Sequence, residues 1–209
     1  MDADYSVELT ADDPALELPW SSDDPSVCYL DLRRSPGLIA RISEAVQYPE
    51  LADFLSTVNS AASVLETAKC DCWTETELSE AEEIYGANLK FASYVDLLFA
   101  TDDPALALRF SLDAHELLAR RLVRLLSVAP QISAAAEFAI RRCYYHAPSP
   151  NETSPSVADS QTGYYITFYL FGYGEDEPSA HRRWTIALNV VQNALLQVSA
   201  EMRRLEPAL

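Results

Sequence analysis

Asp31, Asp96 and Arg142 are the residues of this chain best suited to acid–base chemistry, should the fold bring them together. Neighbouring carboxylates shift each other's pKa, which is what general acid–base work requires. The same three groups also make an ordinary structural ion pair, a far commoner use of them. Tyr29, Tyr94 and His146 complete a candidate ligand-binding set, with side chains that stack, hydrogen-bond or titrate near neutrality. A second constellation is built on thiols: Cys70-Asp71-Cys72, and much later Cys143-Tyr144-Tyr145-His146, two short ligand pairs of the kind that hold zinc.

These residues need strands to carry them. Residues 26–33, SVCYLDLR, alternate with Cys28, Leu30 and Leu32 on one face. TAKCDCWTE (67–75) alternates again, and NLKFASYVDLLF (88–99) is the clearest strand in the chain, with Lys90, Tyr94 and Asp96 opposite its apolar side. FAIRRCYYH (138–146) reads as a fourth strand once one irregular residue is allowed, and YYITFYLFGY (164–173) as a fifth, aromatic on both faces. Helices are expected over 38–48 and 49–65, from TDDP at 101–104 to Pro130 with Asp103 as cap, and from GEDEP to about Arg204. The last two carry leucine-rich and mixed apolar stripes. The polar stretch 147–163 reads as a mobile surface loop.

The fold class expected is α+β: an antiparallel sheet of about five strands with helices on one face. A ferredoxin-like βαββαβ core would be extended by a further strand and the C-terminal helix. Residues 1–25 would form an acidic, partly extended segment before a single domain over 26–209; 66–128 and 136–205 would be hairpin-plus-helix halves. In that arrangement the two cysteine pairs lie on opposite sheet edges, about 14 Å apart at roughly 4.8 Å per strand step. Zinc–sulfur bonds of about 2.3 Å cannot span this, so no metal is expected. GxSxG, GxxxxGK[ST] and HExxH are absent, and five glycines make no phosphate cradle, so no cofactor is expected either.

Charge narrows the function classes. A formal charge of −17 arises from 32 acidic and 15 basic residues, and only Lys69 and Lys90 are lysines. Such a field repels phosphate backbones and anionic membranes, so direct nucleic-acid or membrane binding is not expected. The acidic N-terminus lacks a signal-peptide pattern, and four cysteines in a chain of 209 residues are no disulfide framework; a cytoplasmic location is expected. Three readings remain. The leading one is an acidic binding or interaction domain, with a protein partner or self-association through its sheet. The second is a small-molecule sensor or enzyme using the polar sheet face around Asp31, Asp96 and Arg142. The third is an acidic mimic of nucleic acid.

Overall fold

Two long antiparallel hairpins form the centre of the molecule, and a computed structural model describes residues 1–24, 27–101, 105–129, 131–146 and 160–205. Strands β1 (Asp2–Val7) and β2 (Ala15–Leu18) come first, then helices α1 (Ser43–Gln47) and α2 (Pro49–Val58). The first hairpin is β3 (Leu65–Glu75) and β4 (Leu89–Phe99), followed by α3 (Ala105–Leu108) and α4 (Leu112–Ser127). The second is β5 (Ala134–His146) and β6 (Ser160–Gly174), followed by α5 (Glu177–Leu205). Short 3₁₀ helices occupy Pro36–Arg41 and Glu80–Tyr85. No described helix is long and apolar enough to cross a membrane.

The open sheet has six strands in the order β1-β5-β6-β4-β3, with β2 joining β5 beyond β1 on the same edge. The expectation of an all-antiparallel sheet is corrected: β1 and β2 run parallel to β5, so the sheet is mixed. The βαββαβ order is not realised either, because residues 27–33, the described part of the strand expected at 26–33, form no strand, apart from a single bridge between Ser21 and Cys28. Their alternation has another cause. Tyr29 packs with Leu16, Leu18, Leu98, Cys143 and Tyr165 on the face away from the helices, whereas Leu32 is buried in the helix-side core. The segment is a strap that rounds the β3 edge and serves two cores in turn. Trp20 Nε1 pins it by donating to the Ala68 carbonyl at 3.0 Å, and the Tyr29 N–H donates to the Trp20 carbonyl at 2.9 Å.

On the other face the period-2 pattern works as strand physics requires. Phe91, Val95, Leu97 and Phe99 of β4 join Phe138, Ile140, Ile166, Phe168 and Leu170 under α2, α4 and α5. Gly172 lets α5 come this close: a Cβ there would lie 2.4 Å from the Trp184 nitrogen and 2.5 Å from the Ala180 carbonyl. Trp184 is fully buried, and its indole N–H donates to Ser93 Oγ at 2.8 Å.

The single helix expected after TDDP is broken, and a buried ion pair sits at the break. Asp102, Asp103 and Pro104 lie outside the described residues, as do 147–159 of the loop expected at 147–163. Between α3 and α4, Arg109 turns inward to Glu66 of β3 and donates its Nε–H to the Phe99 carbonyl. Its own carbonyl accepts from the Tyr164 N–H at 2.9 Å, outside any helical pattern. Ser111 then starts a new helix, its Oγ accepting from the Ala114 N–H at 3.2 Å. Glu66 also accepts from the Thr101 N–H and, at 3.4 Å, from the Tyr29 hydroxyl. Both charged side chains are about 95% buried, at 4% and 5% exposure. Removing one partner of such a pair leaves an uncompensated charge and costs roughly 3–5 kcal/mol, whereas apolar replacement of both is often neutral. Arg109→Ala should therefore lower unfolding stability in urea by roughly that amount, and the double variant Arg109→Met/Glu66→Leu should recover most of it. Equal losses in the single and double variants would mean that the pair is not the anchor.

Candidate functional site

The face away from the helices is closed at both ends and open in the middle. At one end the strap and β2 cover it through Leu16, Leu18 and Tyr29. At the other end the 3₁₀ helix Glu80–Tyr85 folds over it: Tyr85 stacks on Tyr173 with centroids 3.9 Å apart, and its hydroxyl donates to Asp2. Glu82 accepts from Lys90 Nζ at 2.8 Å and from the Tyr173 hydroxyl at 2.9 Å. Burial opposes its ionisation, but hydrogen bonds from Lys90, Ser79 and Tyr173 hold its carboxyl down to about 2.

A row of half-buried rings crosses the open band over three strands. Trp73 of β3 lies 6.5 Å from Tyr94 of β4, which lies 6.1 Å from Tyr169 of β6. Tyr169 and Phe171 are nearly parallel at 6.3 Å. Cations already sit on two of these rings, Arg141 over Tyr169 at 5.7 Å and Lys90 over Phe171 at 5.1 Å. Both are neutralised locally, Lys90 by Glu75 and Glu82, Arg141 by Glu8. Among the described residues, Asp4, Asp71 and Glu137 on the same face have no such partner. Burial raises the Glu137 pKa, and nearby Glu82, Asp4 and Glu8 push it the same way. The surface is a shallow depression of about 330 Å³ beside Asp4, Glu8, Glu137, Arg141 and Tyr169, not an enclosed pocket.

Of the six residues singled out in the sequence, the structure brings Tyr94 and Asp96 together on this band. Tyr29 is on the same side but belongs to the strap, its phenol turned to Glu66 and its pKa raised by burial. Asp31 has left the sheet: its Oδ1 accepts from the Arg34 N–H at 2.9 Å in the turn before the first 3₁₀ helix. Arg142 and His146 face the other side of β5. Arg142 donates to the Leu9 carbonyl, and His146 Nε2 lies 3.7 Å from Glu17. The guanidinium beside Asp96 belongs to Arg141, because β5 pairs with β6 without interruption from Ala134 to His146. Phe138 and Ile140 point into the core and so turn Arg141 outward. Cys143 and Tyr145 blur the pattern because the strap end of this face is itself covered. Tyr169 and Phe171 were the other omissions; their signal is Phe168 and Leu170 pointing inward between them. Cys70 and Cys72 pack on the helix side and Cys143 on the opposite face; among the described residues no three metal-ligating side chains converge.

Asp96 is the buried charge of the band, 5% exposed. Its Oδ1 accepts from Thr167 Oγ1 at 2.8 Å, and Thr167 accepts in turn from Arg141 Nη1 at 3.0 Å. Desolvation raises its pKa to about 6, against the opposing effects of the Thr167 hydrogen bond and the Lys69 and Arg141 charges. A raised carboxyl pKa means that the folded state holds the proton more tightly, so this group weakens the fold as pH rises from about 4 to 6. Asp96→Asn should therefore raise thermal stability at about pH 7.5, by roughly 3 kcal/mol at most, and bring no gain at about pH 4. A loss of stability confined to the higher pH would instead make the ionised carboxylate a stabilising partner of Arg141 and Lys69.

Comparison with family models, characterised proteins and solved structures finds no match for this chain, so its function is read from the geometry of this face.

Proposed function

We propose that the chain is a non-catalytic binding module whose open sheet face takes a basic segment of a partner protein. The observation that carries the reading is the ring row Trp73–Tyr94–Tyr169–Phe171 set among carboxylates that outnumber its two cations. A lysine or arginine over such a ring gains roughly 0.5–1 kcal/mol when exposed and about 2 kcal/mol when desolvated. The negative field of a chain carrying −17 steers basic partners toward it. The same field makes a second copy of this chain a poor occupant, since two acidic faces would oppose each other. Self-association is thus the weaker form of the interaction reading. The small-molecule reading loses its centre, because Asp31, Asp96 and Arg142 do not share a site. Cytoplasmic residence belongs to the same proposal and is supported by Cys28, Cys70, Cys72 and Cys143 all standing as free thiols.

Titration of the full chain with a synthetic peptide alternating Arg, Lys and Gly residues tests the proposal, read by calorimetry at two salt concentrations. Saturable binding that weakens with salt is expected, with Trp73→Ala and Tyr94→Ala each weakening it about tenfold, or about 1.4 kcal/mol. A nucleic-acid mimic would bind through its acids alone, so binding indifferent to both ring substitutions would point to that class instead. No binding at low salt would sink the proposal.

A further inference from the structure

A second site lies where the strap rounds the β3 edge. Leu30, Leu32, Ile42 and Leu55 line a cleft of about 220 Å³, with the Trp20 indole on its strap side. Lys69 and Arg41 line the same cleft. In so acidic a chain this is an unexpected place for two cations, and neither has a carboxylate within salt-bridge distance among the described residues. Lys90, Arg109, Arg120, Arg121 and Arg141 are all paired with acids. The contrast is sharpest for Lys69, one of only two lysines.

The backbone is shaped to put Lys69 there. The β3–β4 register slips between Thr67 and Cys70, leaving Ala68 and Lys69 in a bulge. In a regular strand Lys69 would share the face of Leu65 and Thr67 and enter the helix-side core; bulges re-aim side chains in this way and cluster next to functional sites. The bulge instead sets Nζ 4.7 Å from the Trp20 ring centre, while the Trp20 indole N–H holds the bulge through the Ala68 carbonyl. Glu44 also lines the cleft, its Oε2 accepting from Ser43 Oγ at 3.1 Å. Two cations and one acid leave a net positive charge of one, which suits a monoanion. The Cys70 thiol on the same wall is pushed up to about 12, by burial first and then by Glu44 and Asp71, so it stays neutral.

The structure assigns to this cleft, we infer, a small organic monocarboxylate with an apolar body: the carboxylate held by Lys69 and Arg41, the body on the leucine floor. The volume lies below the roughly 300–1,000 Å³ of drug-sized sites, so the ligand is short. This site is separate from the open sheet face, and its outcome does not depend on that reading.

Hexanoate, hexanamide and hexylamine are the probes, added to the full chain and followed by calorimetry and by the Trp20 indole N–H resonance, assigned with Trp20→Phe. Hexanoate should bind saturably and move that resonance, with hexanamide at least about tenfold weaker because it forfeits the charge-assisted contacts. Hexylamine should leave the Trp20 resonance unmoved. Lys69→Gln and Arg41→Gln should each weaken hexanoate about tenfold while leaving the chain folded and basic-peptide binding unchanged. Lys69→Arg, which keeps the charge, should restore most of the affinity. Hexanoate binding no better than hexanamide, or failing to move the Trp20 resonance, would overturn the assignment, as would Gln variants that stay folded and bind hexanoate normally.

Discussion

The buried contact between Arg109 and Glu66 sets the shape of the whole molecule around it. Arg109 cannot stay in a helix and also reach Glu66, so the chain after β4 is divided into α3 and α4, with a fresh cap at Ser111. Glu66, neutralised in place, accepts from the strap through Tyr29 and from the end of β4 through Thr101. The Arg109 carbonyl continues hydrogen bonding along β6 at Tyr164, beyond the point where β4 has left it. One ion pair thus joins the strap, both strands of the first hairpin and the second hairpin. Desolvating two charges is expensive; here the Phe99 carbonyl takes the Arg109 Nε–H, and the Thr101 N–H and Tyr29 hydroxyl donate to Glu66.

That anchor explains why one sheet face has two fates. Near Glu66 the strap and β2 close it with Tyr29, Leu16 and Leu18, and beyond their reach it stays open as rings and carboxylates. The 3₁₀ helix Glu80–Tyr85 closes the far end through Glu82 and Tyr85, so the open band is bounded by structure on two sides. A band framed in this way differs from a merely solvated face. Its two cations are matched to acids and its rings are partly shielded, and the charge left over is negative. The strap edge reverses that sign at Lys69 and Arg41. Acidic overall composition therefore conceals two surfaces of opposite preference.

Some of this was legible in the sequence. The alternation of β4, the long stripe of α5 and the pairing of each hairpin with a following helix follow from period-2 and period-3.6 patterns, which depend on one buried side only. Tyr94 and Asp96 were placed on the outer face by the same reasoning. Where two cores meet, the pattern misleads. Cys28, Leu30 and Leu32 alternate as a strand would, yet their segment wraps an edge, and Cys143 and Tyr145 look like an irregularity although β5 is regular. β1 was hidden for a different reason: its alternation of Ala3, Tyr5 and Val7 with Asp2, Asp4 and Ser6 is real but sits in a run whose charged side chains are all acids. Charged edge strands are how sheets avoid edge-to-edge association, and the acidic, partly extended segment expected before the domain supplies a sheet edge. The bulge at Ala68-Lys69 leaves no sequence signature, since it is imposed by pairing with β4.

On the function proposed above, the open band is the binding surface. Backbone amide chemical-shift mapping of the full chain with a basic peptide tests this most directly. The predicted changes cluster in 71–75, 92–96, 137–141 and 167–171, leaving α4 and the outer turns of α5 unmoved. Changes scattered over every acidic stretch, including the exposed acids of α4, would show general charge attraction and contradict a site built from Trp73, Tyr94, Tyr169 and Phe171.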